Sequence, residues 1–217
     1  MNGGFTLPRL FGFPIFVSWS AIVILAIVVL SGGGVDTTSD LLRALIYGGI
    51  VFGSILVHEL GHALVATRLF RLGPASILIH GFGGLTRFRA PEKSWHAFVT
   101  ALAGPSAGLL LGLVAVVIAL VAPVPDRVAG ILDVVATINI FWSLFNLLPM
   151  LPLDGGNMLL HALQMATAPS TADTVARAVS VVVAIAAGVA GWFVFQSLFI
   201  PIVAALSIVQ NVQSRRA

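Results

Sequence analysis

Five consecutive residues, His58-Glu59-Leu60-Gly61-His62, hold the most direct chemical potential in the chain. On a helix, histidines four apart share one face and stand a turn apart, so both imidazoles can reach a single ion. The glutamate between them comes alongside that ion without filling a coordination position. That suits a general base acting on a metal-bound water. Zinc accepts this mixture of imidazole and carboxylate, and a catalytic zinc keeps three protein ligands and one open position. A third ligand must come from elsewhere, and finding it requires the elements that carry these residues.

Those elements are set by composition. Charged residues make up 9% of the 217-residue chain and hydrophobic ones 59%, against about 25% charged in an ordinary soluble domain. Mean hydropathy is +1.07, so the polar surface is too small to cover a water-soluble globule. The same figures exclude a disordered chain, and the absence of cysteine excludes a disulfide scaffold. Eleven Lys and Arg against eight Asp and Glu give a net charge of only +3. No dense basic face for nucleic acid follows from that surplus; in a membrane protein it reports orientation. The fold expected is an all-α polytopic membrane protein in a single domain over residues 1–217, held in the cell membrane and in contact with its lipid.

A spanning helix needs roughly 20 mostly apolar residues. Residues 13–30, 44–65, 97–122 and 128–148 supply four, the first ended by Gly32-Gly33-Gly34 and the last by Pro149 and Pro152. The first is too long, and its leader too poor in charge, for a cleaved signal peptide. Residues 175–212 are too long for one helix, and a break near Gln196-Ser197 makes a hairpin of two. About six spans result. With both termini in the cytoplasm, the inner segments carry Arg9, Arg68, Arg71, Arg87, Arg89, Lys93, Arg177, Arg215 and Arg216. The outer ones carry only Arg43 and Arg127. This distribution agrees with the positive-inside rule.

That topology selects the third ligand. Asp36, Asp40, Glu92, Asp126 and Asp173 read as loop residues, and Asp133 falls at the wrong depth. Asp154 returns to the cytoplasmic side, level with the two histidines. Two prolines ahead of it break the helix and Gly155-Gly156 lets the backbone turn, so irregular backbone can present a carboxylate to a cavity. Between the second and third spans, Ser76-Ile77-Leu78-Ile79-His80, Gly81-Phe82-Gly83-Gly84 and Leu85-Thr86-Arg87-Phe88-Arg89 read as a short membrane-associated β-hairpin. Its strand edges must lie at the interface or line a protein cavity. Of the other polar residues, His80 reads as an interfacial histidine and His161 as a weak candidate to support Asp154. Asn139 fits a helix–helix hydrogen bond.

His58-Glu59-Leu60-Gly61-His62 together with residues 146–156 resembles the site-2 protease family of intramembrane zinc metalloproteases. The likeness extends through Gly81-Phe82-Gly83-Gly84 and Ala103-Gly104-Pro105. It implies Zn2+ bound by His58, His62 and Asp154, with Glu59 as catalytic base. It further implies that Asn146 assists substrate binding or stabilises the oxyanion. Gly81, Phe82, Gly83 and Gly84 are implied to hold the substrate as an added strand. Where relatives often read Gly-Pro-x-x-Asn, this chain has Gly108, and it has no room for the PDZ or CBS domain many relatives carry.

The function expected is hydrolysis of a peptide bond within or near a transmembrane helix, by an active site close to the cytoplasmic face. Glu59 takes the proton of the attacking water and returns it to the departing amine. The resemblance adds regulated intramembrane proteolysis of an anti-sigma factor or another signalling protein. A divalent-metal carrier is the competing class. Carriers usually show ligands reachable from both sides and internal repeats, and neither is evident here. An inactive relative of the proteases is the other alternative.

Overall fold

The computed structural model describes residues 3–31, 37–194, 196 and 198–213. The expected Gly32-Gly33-Gly34 turn, Asp36, Ser197 and the Arg215-Arg216 tail lie outside the described residues. The chain divides into two compact units. One comprises the chain up to Ala90 with Ala103–Ser143, the other Pro91–Leu102 with the chain from Leu144 onward.

The first unit opens with two strands, β1 (Gly4–Leu10) and β2 (Phe13–Ser18), followed by helices α1 (Trp19–Ser31) and α2 (Thr38–Leu64). Strands β3 (Ser76–His80) and β4 (Gly83–Arg87) come next. Residues 13–18 were expected to begin a span. They form a strand instead, because Phe13, Ile15 and Val17 point alternately into a core while their backbone pairs on both sides. β2 runs antiparallel to β1 and parallel to β3, giving the sheet order β1-β2-β3-β4. The expected hairpin is β3–β4, with Gly83 and Gly84 already inside the return strand and only Gly81-Phe82 left to turn. The hairpin is half of a four-stranded sheet.

That sheet is what positions the histidine-bearing helix. Phe13, Ile15, Val17, Ile77 and Ile79 bury themselves with Leu60 and Ala63 of α2 in one apolar cluster. Each fully buried Ile or Val contributes about 1.5–3 kcal/mol, so the register of α2 against the sheet is firmly set. Helix α2 starts with a capping box, the Asp40 amide donating to Thr37 Oγ1 and the Thr37 amide to Asp40 Oδ2. It ends in a π-helical turn, Val65–Leu69, closed by the Phe70 amide on the Val65 carbonyl.

Helices α3 (Ser94–Val121) and α4 (Asp126–Asn146) cross the division between the units. Within the first unit they pack through small residues. A Cβ on Gly108 would lie 2.4 Å from Ser143 Oγ, and one on Gly112 would lie 2.8 Å from Ile140 Cγ1. Such spacing lets helix backbones approach closely where lipid gives no hydrophobic drive. It also accounts for the departure at position 108: a larger side chain would collide with α4. Asn139 makes the expected interhelical bond, its Nδ2 donating to Ser54 Oγ of α2 at 2.8 Å.

The second unit contains α5 (Asp154–Ala166), α6 (Pro169–Phe193) and α7 (Phe199–Gln213). The expected break falls between α6 and α7, where Gln196 has a φ of 46°. Phe145, Met150, Ala184, Ile200 and Ala204 form this unit's core. Among the described residues, four helical stretches are long and apolar enough to cross a membrane: Thr38–Leu69, Ser94–Val121, Asp126–Asn146 and Pro169–Phe193. The first and last of the six expected spans are the shorter helices α1 and α7, of 13 and 15 residues.

Candidate metal centre

Helical spacing brings His58 and His62 together as expected. Their Nε2 atoms lie 3.2 Å apart and the rings meet edge to face, with centroids 4.9 Å apart. Two nitrogens bound at about 2.05 Å to one tetrahedral zinc would stand about 3.3 Å apart, so the pair fits such an ion. His58, Glu59 and His62 are buried at 4%, 5% and 7% exposure. Their potential ligand atoms all lie within 4.8 Å of one another. Burying three ionisable groups this closely is costly unless an ion or a proton-transfer role compensates for it.

Two glycines make room for this cluster. Helix α3 passes so close to the histidines that a Cβ on Gly104 would sit 2.2 Å from His62 Nε2 and 2.8 Å from His58 Nε2. Strand β4 passes equally close to the glutamate, a Cβ on Gly84 falling 2.4 Å from Glu59 Oε1. The weak motifs Ala103-Gly104-Pro105 and Gly81-Phe82-Gly83-Gly84 thus have a shared physical reason. Gly104 and Gly84 are the positions in them where another element's backbone presses against the side chains of His58, Glu59 and His62.

One residue at this centre escaped sequence reasoning. Thr86 of β4 donates its hydroxyl to Glu59, with Oγ1 2.6 Å from Oε2 and 3.0 Å from the Glu59 carbonyl oxygen. A hydroxyl–carboxylate bond of this length is charge-assisted and strong, and it fixes one of the two carboxylate oxygens. The alternation of β4 could have placed Thr86 on the α2 side, but nothing in the sequence assigns it a partner.

The remaining hairpin residues behave as follows. Gly81 packs on α1, its amide donating to Ser20 Oγ at 3.2 Å. Phe82 is largely exposed at the tip, and Gly83 takes a φ of 126°. The Phe82 amide donates to His80 Nδ1 at 3.3 Å, which requires that nitrogen to keep its lone pair. Burial holds the His80 pKa below its ordinary 6.5, against the opposing pull of the Glu59 charge. The folded chain therefore favours the neutral ring, and any stability this supplies is present above pH 6.5 and lost as pH falls from there through the lowered pKa. Histidine-resolved NMR titration should place its midpoint under 6.5, and a midpoint above that value would refute the assignment.

Asn146 and Asp154 belong to the second unit. Asn146 is the last residue of α4 and is buried. Asp154 is the first residue of α5, where a carboxylate is favoured by the helix dipole. The irregular backbone expected ahead of it is present, but Asp154 itself lies in regular helix. Residues 147–151 fold back over that first turn. A Cβ on Gly155 would meet the Leu147 carbonyl oxygen at 2.1 Å, and one on Gly156 would meet the Leu151 nitrogen at 2.3 Å. His161 faces Gln164, with Nδ1 2.9 Å from Oε1.

Residues 122–189 match the model of peptidase family M50. The chain is 36% identical over 171 residues to sll0528 of Synechocystis sp., provisionally named a zinc metalloprotease, covering 73% of this chain and 44% of that protein. It is 37% identical over 174 residues to Rip3 of Mycobacterium tuberculosis, named in the same provisional way, covering 73% and 43%. The chain thus spans less than half the length of these relatives. A solved structure, the site-2 protease from Methanocaldococcus jannaschii, superposes with a TM-score of 0.70 over 97% of this chain and 94% of that one, at 19% identity. At that identity the likeness is one of fold.

Proposed function

Because the chain belongs to peptidase family M50, the site-2 proteases, we propose that it is an intramembrane zinc metalloendopeptidase hydrolysing a peptide bond in a transmembrane-helix substrate. The observation that carries this reading is the buried His58–His62 pair, with Nε2 atoms 3.2 Å apart beside the restrained carboxylate of Glu59. His58 and His62 would hold the zinc, with Asp154 as the third ligand. When bound, that zinc supplies a Lewis acid and makes a water acidic enough to act as a nucleophile near neutral pH.

The residues of the chain do the rest. Thr86 holds Glu59 Oε2, which leaves Oε1 to take the proton of the attacking water and later to deliver it to the departing amine. Asn146 offers a side-chain amide to the oxyanion. A helical substrate hides its peptide bonds in its own hydrogen bonds, so it must unwind before attack. As the last strand of the sheet, β4 offers an edge along which the unwound segment can pair. Gly81, Phe82, Gly83 and Gly84 would flank that added strand. Regulated intramembrane proteolysis of an anti-sigma factor or another signalling protein is the setting that fits such a catalyst. In it the chain would sit in the cell membrane with both termini and the active site on the cytoplasmic side.

The test uses the full chain in liposomes with a panel of single-span substrates and mass-spectrometric mapping of the products. Cleavage within or beside the span, abolished by chelation and restored by zinc, is the expected result. Bound zinc without cleavage of any substrate would overturn the protease reading and favour an inactive relative.

A further inference from the structure

Three polar side chains inside the last two helices have no part in the chemistry described so far. Ser180 of α6 and Ser207 and Asn211 of α7 are 0%, 1% and 5% exposed. Polar groups buried in apolar helices are costly unless paired. All three converge on the backbone amide and carbonyl of one residue, Leu151, three residues ahead of Asp154. The Leu151 amide donates to Ser180 Oγ at 2.8 Å. Its carbonyl accepts from the Ser207 hydroxyl, from Asn211 Nδ2 at 3.2 Å and, more loosely, from Ser180 Oγ at 3.5 Å. Asn211 Nδ2 also reaches Ser180 Oγ at 3.0 Å, which ties α6 to α7 at the same point, and the Ser207 carbonyl of its own helix at 2.9 Å.

The loop held in this way leads directly to the proposed third ligand. Residues 147–151 press on Gly155 and Gly156 with no space for a Cβ, and Asn157 Nδ2 donates back to the Pro152 and Leu153 carbonyls at 3.1 and 3.2 Å. Displacing Leu151 therefore displaces the first turn of α5. Groups that orient a metal ligand from behind typically change metal affinity by about 10–100-fold when removed.

We propose that Ser180, Ser207 and Asn211 are positioning residues that fix the Leu151 peptide and through it the Asp154 carboxylate, so that the packing of α6 against α7 sets the affinity for zinc. This rests on the reading of Asp154 as a ligand. The competing account is that the three side chains only satisfy a buried peptide.

Zinc affinity separates the two, measured by chelator competition on the full chain in detergent, alongside thermal unfolding of the metal-free protein. Ser207→Ala and Asn211→Leu should each raise the zinc Kd roughly tenfold. In an Asp154→Asn background neither should raise it further, because the effect passes through that carboxylate. A lowered metal-free melting temperature with a wild-type zinc Kd would overturn the positioning role and leave Asp154 intact as a ligand. An Asp154→Asn protein with wild-type zinc affinity would overturn the ligand reading itself and the inference with it. If Asn211→Leu does not fold, Ser207→Ala carries the comparison, since it deletes a single oxygen.

Discussion

Glu59→Gln is expected to retain zinc and to slow cleavage by roughly 10²–10⁴-fold, the range lost with a general acid–base group. Glutamine has the same shape, and its carbonyl oxygen can still accept the Thr86 hydroxyl 2.6 Å away. The packing against Gly84 is thus preserved. What disappears is the ability to take a proton from water and return it to the amine. Metal retention matters as much as the rate, because the ligand atoms of Glu59 also lie within 4.8 Å of those of His58 and His62. A base role predicts wild-type zinc content with lost kcat, whereas a ligand role predicts that zinc is lost as well. Zinc content by elemental analysis and kcat on one cleavable substrate decide the matter. Residual cleavage within tenfold of wild type would remove Glu59 from the mechanism.

Gly104→Ala should have the opposite signature. Placed in a helix, alanine is favoured over glycine by about 1 kcal/mol, so the metal-free protein should melt no lower than wild type by more than a few degrees. The added Cβ would nevertheless fall 2.2 Å from His62 Nε2, 2.5 Å from its Cε1 and 2.8 Å from His58 Nε2. Both rings must swing away, and a misplaced pair cannot share one ion. Zinc affinity should drop at least about 100-fold, beyond what loss of a supporting contact produces. Chelator competition and metal-free melting, measured on one preparation, give both halves of the result. An unchanged zinc Kd would mean that the two imidazoles do not hold the metal in the arrangement described.

The parts of this centre that were legible in the sequence are those where covalent spacing alone becomes geometry. Histidines four apart on an apolar helix must share a face, and they do. The chain reversal at the hairpin's glycines and the break after α6 were legible for the same reason, since local backbone preference decides them, although Gly83 and Gly84 belong to the return strand and not to the turn. The roles of Thr86, Gly104 and Ser180 were not, because each depends on which residue a distant element brings opposite it. Asn139 lies between these cases. A polar side chain in a span announces a helix partner, but Ser54 could be identified only from the packing. Residues 13–18 misled for a further reason: a short run of Phe, Ile and Val is as apolar as the start of a span. Only the strands on either side of it reveal the difference.

That misreading has a practical side for anyone engineering the protein. Residues 4–18 resemble a dispensable lead into the first helix, yet β2 is an interior strand, bonded to β1 on one side and β3 on the other. Trimming the gene to begin at Trp19 would leave β3 and β4 as an isolated pair, and a two-stranded hairpin is marginal by itself. The strand that carries Thr86 would lose its anchorage while His58, Glu59, His62 and Asp154 all remained encoded. Such a truncation would look conservative in an alignment of motifs, and it would cut away the floor on which the Glu59 carboxylate rests.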